Sequence, residues 1–234
     1  MITEFKTRVG EIIERIPGVK SFQFPRPENF DFDPGQWMFI TLFDGDEKKR
    51  KHFTISSSPT EREFIEFTKK ITDHEFSVLL DTLHPGDRVD IDGPYGNFTF
   101  KGEYPRVGMI TGGIGITPLR SIIRYCTDSG VSAQITLLYG NRNEESIVFR
   151  EELEDLMRKN PSLQVIHCLS RPGDGWKGRK GHVDMQLISE EIPDYGERIF
   201  YVSGPSALVN DIVQALKILN IPDAMVRTEQ FPGY

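Results

Sequence analysis

The chain has 234 residues, with 28 basic against 35 acidic side chains and a formal charge of −7. That length suits one large domain or two compact halves, and an overall acidic balance argues against a nucleic-acid partner. The longest charge-free stretches, Val107 to Leu119 among them, fall short of the ~20 apolar residues of a membrane span, and the opening residues lack a signal-peptide core, so neither is expected.

The first part of the chain reads as strands. Residues 35–43, 50–56, 63–70 and 87–93 are short, rich in Phe, Ile, Val and Thr, and bounded by Pro, Gly or Asp. Alternation is clearest from Arg88 to Asp92, with one apolar and one charged face. Turns such as Asp33-Pro34-Gly35 and Pro85-Gly86-Asp87 complete the pattern of a small closed barrel, interrupted by one short helix from Ser77 to Leu83.

After Tyr104-Pro105 the rhythm changes. Residues 106–111 form an apolar strand, followed by a glycine turn and a helix with Leu119, Ile122, Ile123 and Cys126 on one face. Thr117 is read as its N-cap and Pro118 as its first helical residue. Strands are then expected at 134–140, 163–170, 198–204 and 224–231, with helices at 146–159 and 206–219. Alternating strands and helices predict a parallel sheet covered on both faces. The boundary falls near Lys101 to Arg106, giving domains of 1–103 and 104–234.

Two cysteines, Cys126 and Cys168, are too few for a four-thiolate iron–sulfur or zinc site, and no metal is expected. Both are read as buried free thiols, which suits a reducing cytoplasm. Electron chemistry must then use an organic cofactor.

The segment Thr111-Gly112-Gly113-Ile114-Gly115-Ile116-Thr117-Pro118 follows a strand and opens a helix. Residues without side chains let a backbone approach a phosphate, and a helix N-terminus supplies N–H donors. The segment is neither the dinucleotide fingerprint, since Pro118 takes the third glycine position, nor a P-loop. On the turn alone, a ligand site and a tight strand–helix connection remain equal readings. Ligands of open parallel sheets sit beyond the strands' carboxyl ends, where Arg142, Ser170, Arg171 and Ser203-Gly204-Pro205 also fall. Arg142 stands where an NAD site often has an acid. With Ser170 and Arg171 near, it favours a 2′-phosphate, and so NADPH over NADH; solvated surface arginines are the alternative.

Several segments resemble the ferredoxin–NADP⁺ reductase family. Lys51-His52-Phe53-Thr54 is similar to its flavin-binding R-x-Y-S/T strand, and Gly93-Pro94-Tyr95-Gly96-Asn97-Phe98 to its G-P-x-G-x-F segment. Pro34-Gly35-Gln36 resembles its P-G-Q strand start, the glycine turn its nicotinamide-domain loop, and Ser203-Gly204-Pro205 its C-G-P. The motifs lie in the family's order along nearly the whole chain. The resemblance implies a six-stranded antiparallel flavin barrel followed by a five-stranded parallel nicotinamide domain.

It also implies the chemistry. FAD, in preference to FMN, would stack on Phe53, with Thr54 hydrogen-bonding near N5. Lys51 would meet the pyrophosphate, and His52, Ser56, Thr68, Lys70 and Ser77 would complete the flavin contacts. Lys51 replaces the family's arginine and His74 a glycine, which leaves the choice of flavin open. Glu229-Gln230-Phe231 resembles the terminal E-x-aromatic, so Phe231 or Tyr234 would cover the flavin and Glu229 would lie near the transfer site. Ser203 replaces the cysteine beside the nicotinamide C4. Thr54, Ser203 and Glu229 are thus the expected catalytic set.

The expected function is hydride transfer from NADPH or NADH to FAD, then electron transfer to a separate acceptor: a ferredoxin, a flavodoxin, an oxygenase component, free flavin or a quinone. The run Lys48, Lys49, Arg50, Lys51 offers a dock for an acidic carrier. A monomer is expected, with a dimer as alternative. The other readings are an electron-transfer subunit of a larger oxidoreductase and a non-catalytic flavin- or nucleotide-binding redox module. A hydrolase is disfavoured by the lack of a G-x-S-x-G elbow.

Overall fold

The computed structural model describes residues 2–231. The N-terminal part holds β1 (Thr3–Arg8), β2 (Glu11–Ile16), β3 (Val19–Pro25), β4 (Trp37–Asp44), β5 (Glu47–Thr54), β6 (Phe64–Lys70), helix α1 (Glu75–Asp81) and β7 (Arg88–Tyr95). These strands form two antiparallel sheets, ordered β1-β7-β4-β5 and β2-β3-β6. Alternation drives the pairing: Met38, Ile40 and Leu42 of β4 and Val89 and Ile91 of β7 all turn inward. They meet Phe22, Phe24 and Phe67 of the second sheet, so the aromatic residues fill the space between the layers.

The antiparallel barrel layout is as expected, with seven strands where the resemblance implied six. The extra count comes from the first 25 residues, where β1 and β2 carry few buried side chains and so have weak apolar signatures. Helix α1 starts two residues earlier than the expected Ser77.

The C-terminal part follows as β8 (Arg106–Gly112), α2 (Ile116–Asp128), β9 (Gln134–Asn141), α3 (Arg150–Lys159), β10 (Leu163–Leu169), β11 (Arg179–Lys180), α4 (Met185–Glu191), β12 (Ile199–Pro205), α5 (Ser206–Ile218) and β13 (Val226–Phe231). Its parallel sheet runs β11-β10-β9-β8-β12-β13. Five full strands match the expectation, and the two-residue β11 adds an edge. The strand order reverses on either side of β8, which opens a crevice over the carboxyl ends.

Two expected helix starts are displaced. Gly113–Gly115 forms a 3-10 turn ahead of α2, so Thr117 is not the cap but the second helical residue, its hydroxyl donating to Ile114 O at 3.3 Å. The helix expected from residue 146 begins only at Arg150, because Phe149 adopts a left-handed backbone at φ 61°. Such a backbone costs a non-glycine residue ~1–2 kcal/mol. The buried Phe149 ring lies against the guanidinium groups of Arg15, at 5.2 Å, and Arg120, at 5.4 Å, contacts that offset the cost.

Helix α2 ties the two parts together. Arg120, almost wholly buried, donates to Ser56 O at 2.8 Å and Glu61 Oε2 at 2.6 Å in the barrel, and pairs with Glu152 of α3 at 2.7 Å. Ser121 Oγ donates to Ser57 O at 2.7 Å, and Tyr201 Oη to Thr99 O at 2.8 Å. Among the described residues no helix is long and apolar enough to cross a membrane, and no group of three or more His, Cys, Asp or Glu could hold a metal ion. Cys126 and Cys168 are buried and free.

Candidate active site

Two cavities flank the glycine turn, and Ile114 lines both. The first, about 730 Å³, straddles the free edge of β5. Lys51, His52, Phe53 and Thr54 line it from β5, Thr68 from β6, Ser77 from α1, Thr117 from α2 and Phe231 from β13. Phe53 rests one face on the Phe67 ring, 4.6 Å between centroids and 18° from parallel, and its ring forms part of the cavity wall. Ser77 Oγ accepts from Thr72 N at 2.8 Å, which fixes the entry of α1.

From the cavity wall, Thr54 Oγ1 donates to Glu229 Oε1 at 2.9 Å, joining the barrel to the last strand, while Glu229 itself lines neither cavity. Burial pushes the Glu229 carboxyl up to about 7, against a lowering by the Thr54 hydrogen bond. Its second oxygen, Oε2, is buried without a hydrogen-bond partner among the described residues. The carboxyl therefore keeps its proton well above the ordinary carboxylate range.

Ser203 sits opposite Glu229 in the β12–β13 register, yet it lines neither cavity. Its fully buried hydroxyl donates to Gly115 O at 2.8 Å, and its carbonyl accepts from Thr111 Oγ1 at 2.9 Å. Ser203 thus fastens the glycine turn instead of presenting a hydroxyl to the cleft. Gly115 explains the closeness: a Cβ there would lie 2.5 Å from Gly204 Cα. A Cβ on Gly112 would meet Leu208 Cδ1 at 2.6 Å. Thr111, Gly112, Gly115, Pro118, Gly204 and Pro205 accordingly line neither cavity and pack the turn against β12 and α5.

Ser56 also stands behind the wall. Its hydroxyl donates to Glu66 Oε1 at 3.0 Å and shares a 2.8 Å hydrogen bond with Thr68. Burial of Glu66 alone would raise its carboxyl, but Arg120 and Arg15 outweigh that and hold it below the usual range. The flavin-side wall is therefore braced by a closed buried network that the sequence did not reveal. Lys69 was missed too. It lines the first cavity, where burial first and the Lys51 charge second push its ammonium down to about 8. Lys70 turns to the second cavity. The expected basic dock is largely neutralised from within: Lys49 pairs with Glu47 and Glu75, while Arg50 pairs with Asp92 and covers the Phe39 ring at 3.6 Å.

The second cavity, about 920 Å³, lies over the carboxyl ends of β8, β9 and β10. Gly113, Arg142, Ser170 and Arg171 line it, as do Asn141, Asp211 and, from the barrel, Ile16, Pro17 and Val19. Gly113 has φ +54° and open space where a Cβ would be, so backbone can face a ligand there. Tyr234 lies outside the described residues.

A two-cavity flavoprotein reductase is the class this architecture defines, and comparison with known proteins agrees. Residues 12–100 match the oxidoreductase FAD-binding domain and 109–214 the oxidoreductase NAD-binding domain. The chain is 33% identical over 187 residues to ferredoxin–NADP reductase B of Sorangium cellulosum, covering 78% of this chain and 77% of that one. It is 30% identical over 220 residues to the glycine betaine monooxygenase reductase subunit of Chromohalobacter salexigens, covering 90% of this chain but only 59% of that relative's length. Two solved structures share the fold: the cytochrome b5 reductase domain of Ulva prolifera nitrate reductase (TM-score 0.85, 23% identity, 97% of each chain) and a Neisseria gonorrhoeae ferredoxin NADP⁺ reductase with bound FAD and NADP (TM-score 0.82, 18% identity, 97% and 98%).

The chain belongs to the ferredoxin–NADP⁺ reductase family. Its cofactors are FAD and NAD(P)H, and the first cavity fits a flavin. The volume lies within the ~300–1,000 Å³ of ligand sites, Lys51 and Lys69 are both among its lining residues, and the Phe53 ring offers an apolar wall for a flat ring system.

Proposed function

We propose that this chain takes hydride from NAD(P)H onto bound FAD and passes electrons to a separate acceptor protein. FAD, when bound, supplies hydride acceptance at its N5 and release of electrons to the acceptor. The protein's own part is placement and charge. Phe53 and Phe231 both contribute apolar wall to the first cavity, Lys51 and Lys69 neutralise the pyrophosphate, and Ser77 holds α1 beside it. Arg142, Ser170 and Arg171 take the adenosine end of the nucleotide, and two guanidinium groups favour the 2′-phosphate of NADPH over NADH. Residues 1–103 serve as the flavin half and 104–234 as the nucleotide half.

The observation that carries this reading is the Thr54–Glu229 hydrogen bond, which joins a residue of the first cavity's wall to the last strand of the nucleotide half. In this reading Thr54 supplies a polarising hydroxyl and Glu229 a carboxyl raised by burial, close to where nicotinamide and flavin would face each other. The test is the colour of the purified protein. A yellow protein bleached without oxygen by NADPH, faster than by NADH, supports the reading; a protein that takes up no FAD sinks it.

The acceptor we favour is an oxygenase component or a ferredoxin, in line with the names of the relatives. A second reading, an electron-transfer subunit of a larger oxidoreductase, is favoured by one fact: the chain spans about three fifths of the glycine betaine monooxygenase reductase subunit. We place the protein in the cytoplasm, where two buried free thiols persist, and expect a monomer by light scattering.

A further inference from the structure

Asn141 closes β9 at the crevice, one residue beyond the Gly112–Gly140 pairing. Its main chain is fixed, because its carbonyl accepts from Ser170 N at 3.0 Å and its register partner is Leu169 of β10. Its side chain is 8% exposed and lines the second cavity. Neither Oδ1 nor Nδ2 has a hydrogen-bond partner among the described residues. The nearby Tyr139 hydroxyl, which the amide approaches, gives its proton to Gly113 O at 2.9 Å, so it has no proton to offer Asn141 Oδ1.

A buried amide left without partners costs ~1–3 kcal/mol. The fold gains nothing from it: Tyr139 already secures the glycine turn, and a leucine or alanine at 141 would avoid the cost. A polar group kept at this expense inside a cavity points to a ligand that completes it. The group needs both a donor and an acceptor, because one end of a carboxamide is N–H and the other C=O. A phosphate oxygen can satisfy only the N–H end. A ribose hydroxyl both donates and accepts, and a vicinal pair satisfies both ends at once. The anion-seeking groups of the cavity are Arg142, Arg171 and Lys70, which leaves the neutral part of the ligand for Asn141.

We propose that Asn141 is a nucleotide-binding residue whose carboxamide hydrogen-bonds the ribose hydroxyls of the dinucleotide. The proposal rests on the reductase reading above and sharpens which side chain holds the donor. It separates affinity from preference: Asn141 serves NADH and NADPH alike, while the arginines distinguish them.

The test uses the flavin-loaded protein with NAD⁺ and NADP⁺ as probes, by isothermal titration calorimetry. Asn141→Ala should weaken both by about 5- to 10-fold, the loss of one or two hydrogen bonds. Its flavin content and visible spectrum should match wild type. Its thermal midpoint without nucleotide should stay level or rise, since an unsatisfied group has gone. Asn141→Asp separates hydroxyl from phosphate: a carboxylate still accepts from ribose but repels a phosphate. It should therefore bind NAD⁺ no worse than the alanine variant. Unchanged affinity in Asn141→Ala, or a fall in its thermal midpoint, overturns the binding role; weaker NAD⁺ binding by Asn141→Asp than by Asn141→Ala overturns the ribose assignment. If wild type itself binds neither nucleotide, the reductase reading fails instead.

Discussion

The two cavities beside Ile114 are built on opposite plans. Behind the flavin-side wall Ser56, Thr68, Glu66 and Arg15 bond one another, and Arg120 holds the loop above them. The nucleotide-side cavity keeps its polar side chains in reserve, with Arg142 and Arg171 at its rim and the Asn141 amide unpaired within. The difference teaches how one chain serves two kinds of ligand. A resident cofactor needs a rigid bed prepared in advance, whereas a nucleotide that must come and go needs groups that gain partners only while it is bound.

The largest test of that contrast is Arg120→Met, which removes the brace of the flavin bed. The buried Glu66 and the partly buried Glu61 and Glu152 would be left without their main counter-charge, and stability should fall by about 3–5 kcal/mol in urea unfolding. A loss below about 1 kcal/mol would mean that the bed is not held by this pair network.

Next in size is the pH response of Glu229. Burial raises its folded value from 4.5 to about 7, so between these limits the folded chain holds a proton that the unfolded chain has released. Stability should therefore fall as pH rises from about 4.5 through 7, by about 3 kcal/mol at most, and Glu229→Gln should flatten that slope. Denaturation midpoints across this window, wild type against variant, decide it. The same variant should slow flavin reduction by NADPH in stopped flow, about tenfold or more if the carboxyl handles a proton.

Gly113→Ala tests the nucleotide side. Its φ of +54° should cost an alanine about 1–2 kcal/mol of stability although no atom clashes, with flavin content unchanged. The smallest effect is expected from Arg142→Ala. Removing one rim charge should lower the NADPH-over-NADH preference about fivefold, near 1 kcal/mol, in the ratio of kcat/KM values. An unchanged ratio would place the 2′-phosphate elsewhere.

Much of this was legible in the sequence because it rests on local pattern. The parallel half is written in apolar strands and amphipathic helices, and the order of motifs led to the family. Where the reading failed, distant partners decided the outcome. Ser203 occupies the motif position, but its hydroxyl answers the Gly115 carbonyl brought close by two glycines from separate segments. Lys69 and Lys70 exchange roles because β6 ends there, between two cavities, and strand parity cannot say which lysine faces which. Arg120 sits in a helix whose apolar face was plain, yet its partners Ser56, Glu61 and Glu152 lie on both sides of the molecule. The late start of α3 follows from Phe149 packing on two arginines, which no helical period encodes.

The wall made by Ile16, Pro17, Val19 and Lys70 belongs to the barrel, although it bounds the nucleotide cavity. A chimera that grafts the nucleotide half of a relative onto this barrel would thus import only part of its donor preference. The turn between β2 and β3 would have to travel with it, so the unit that evolution or an engineer can exchange cleanly is larger than the C-terminal half.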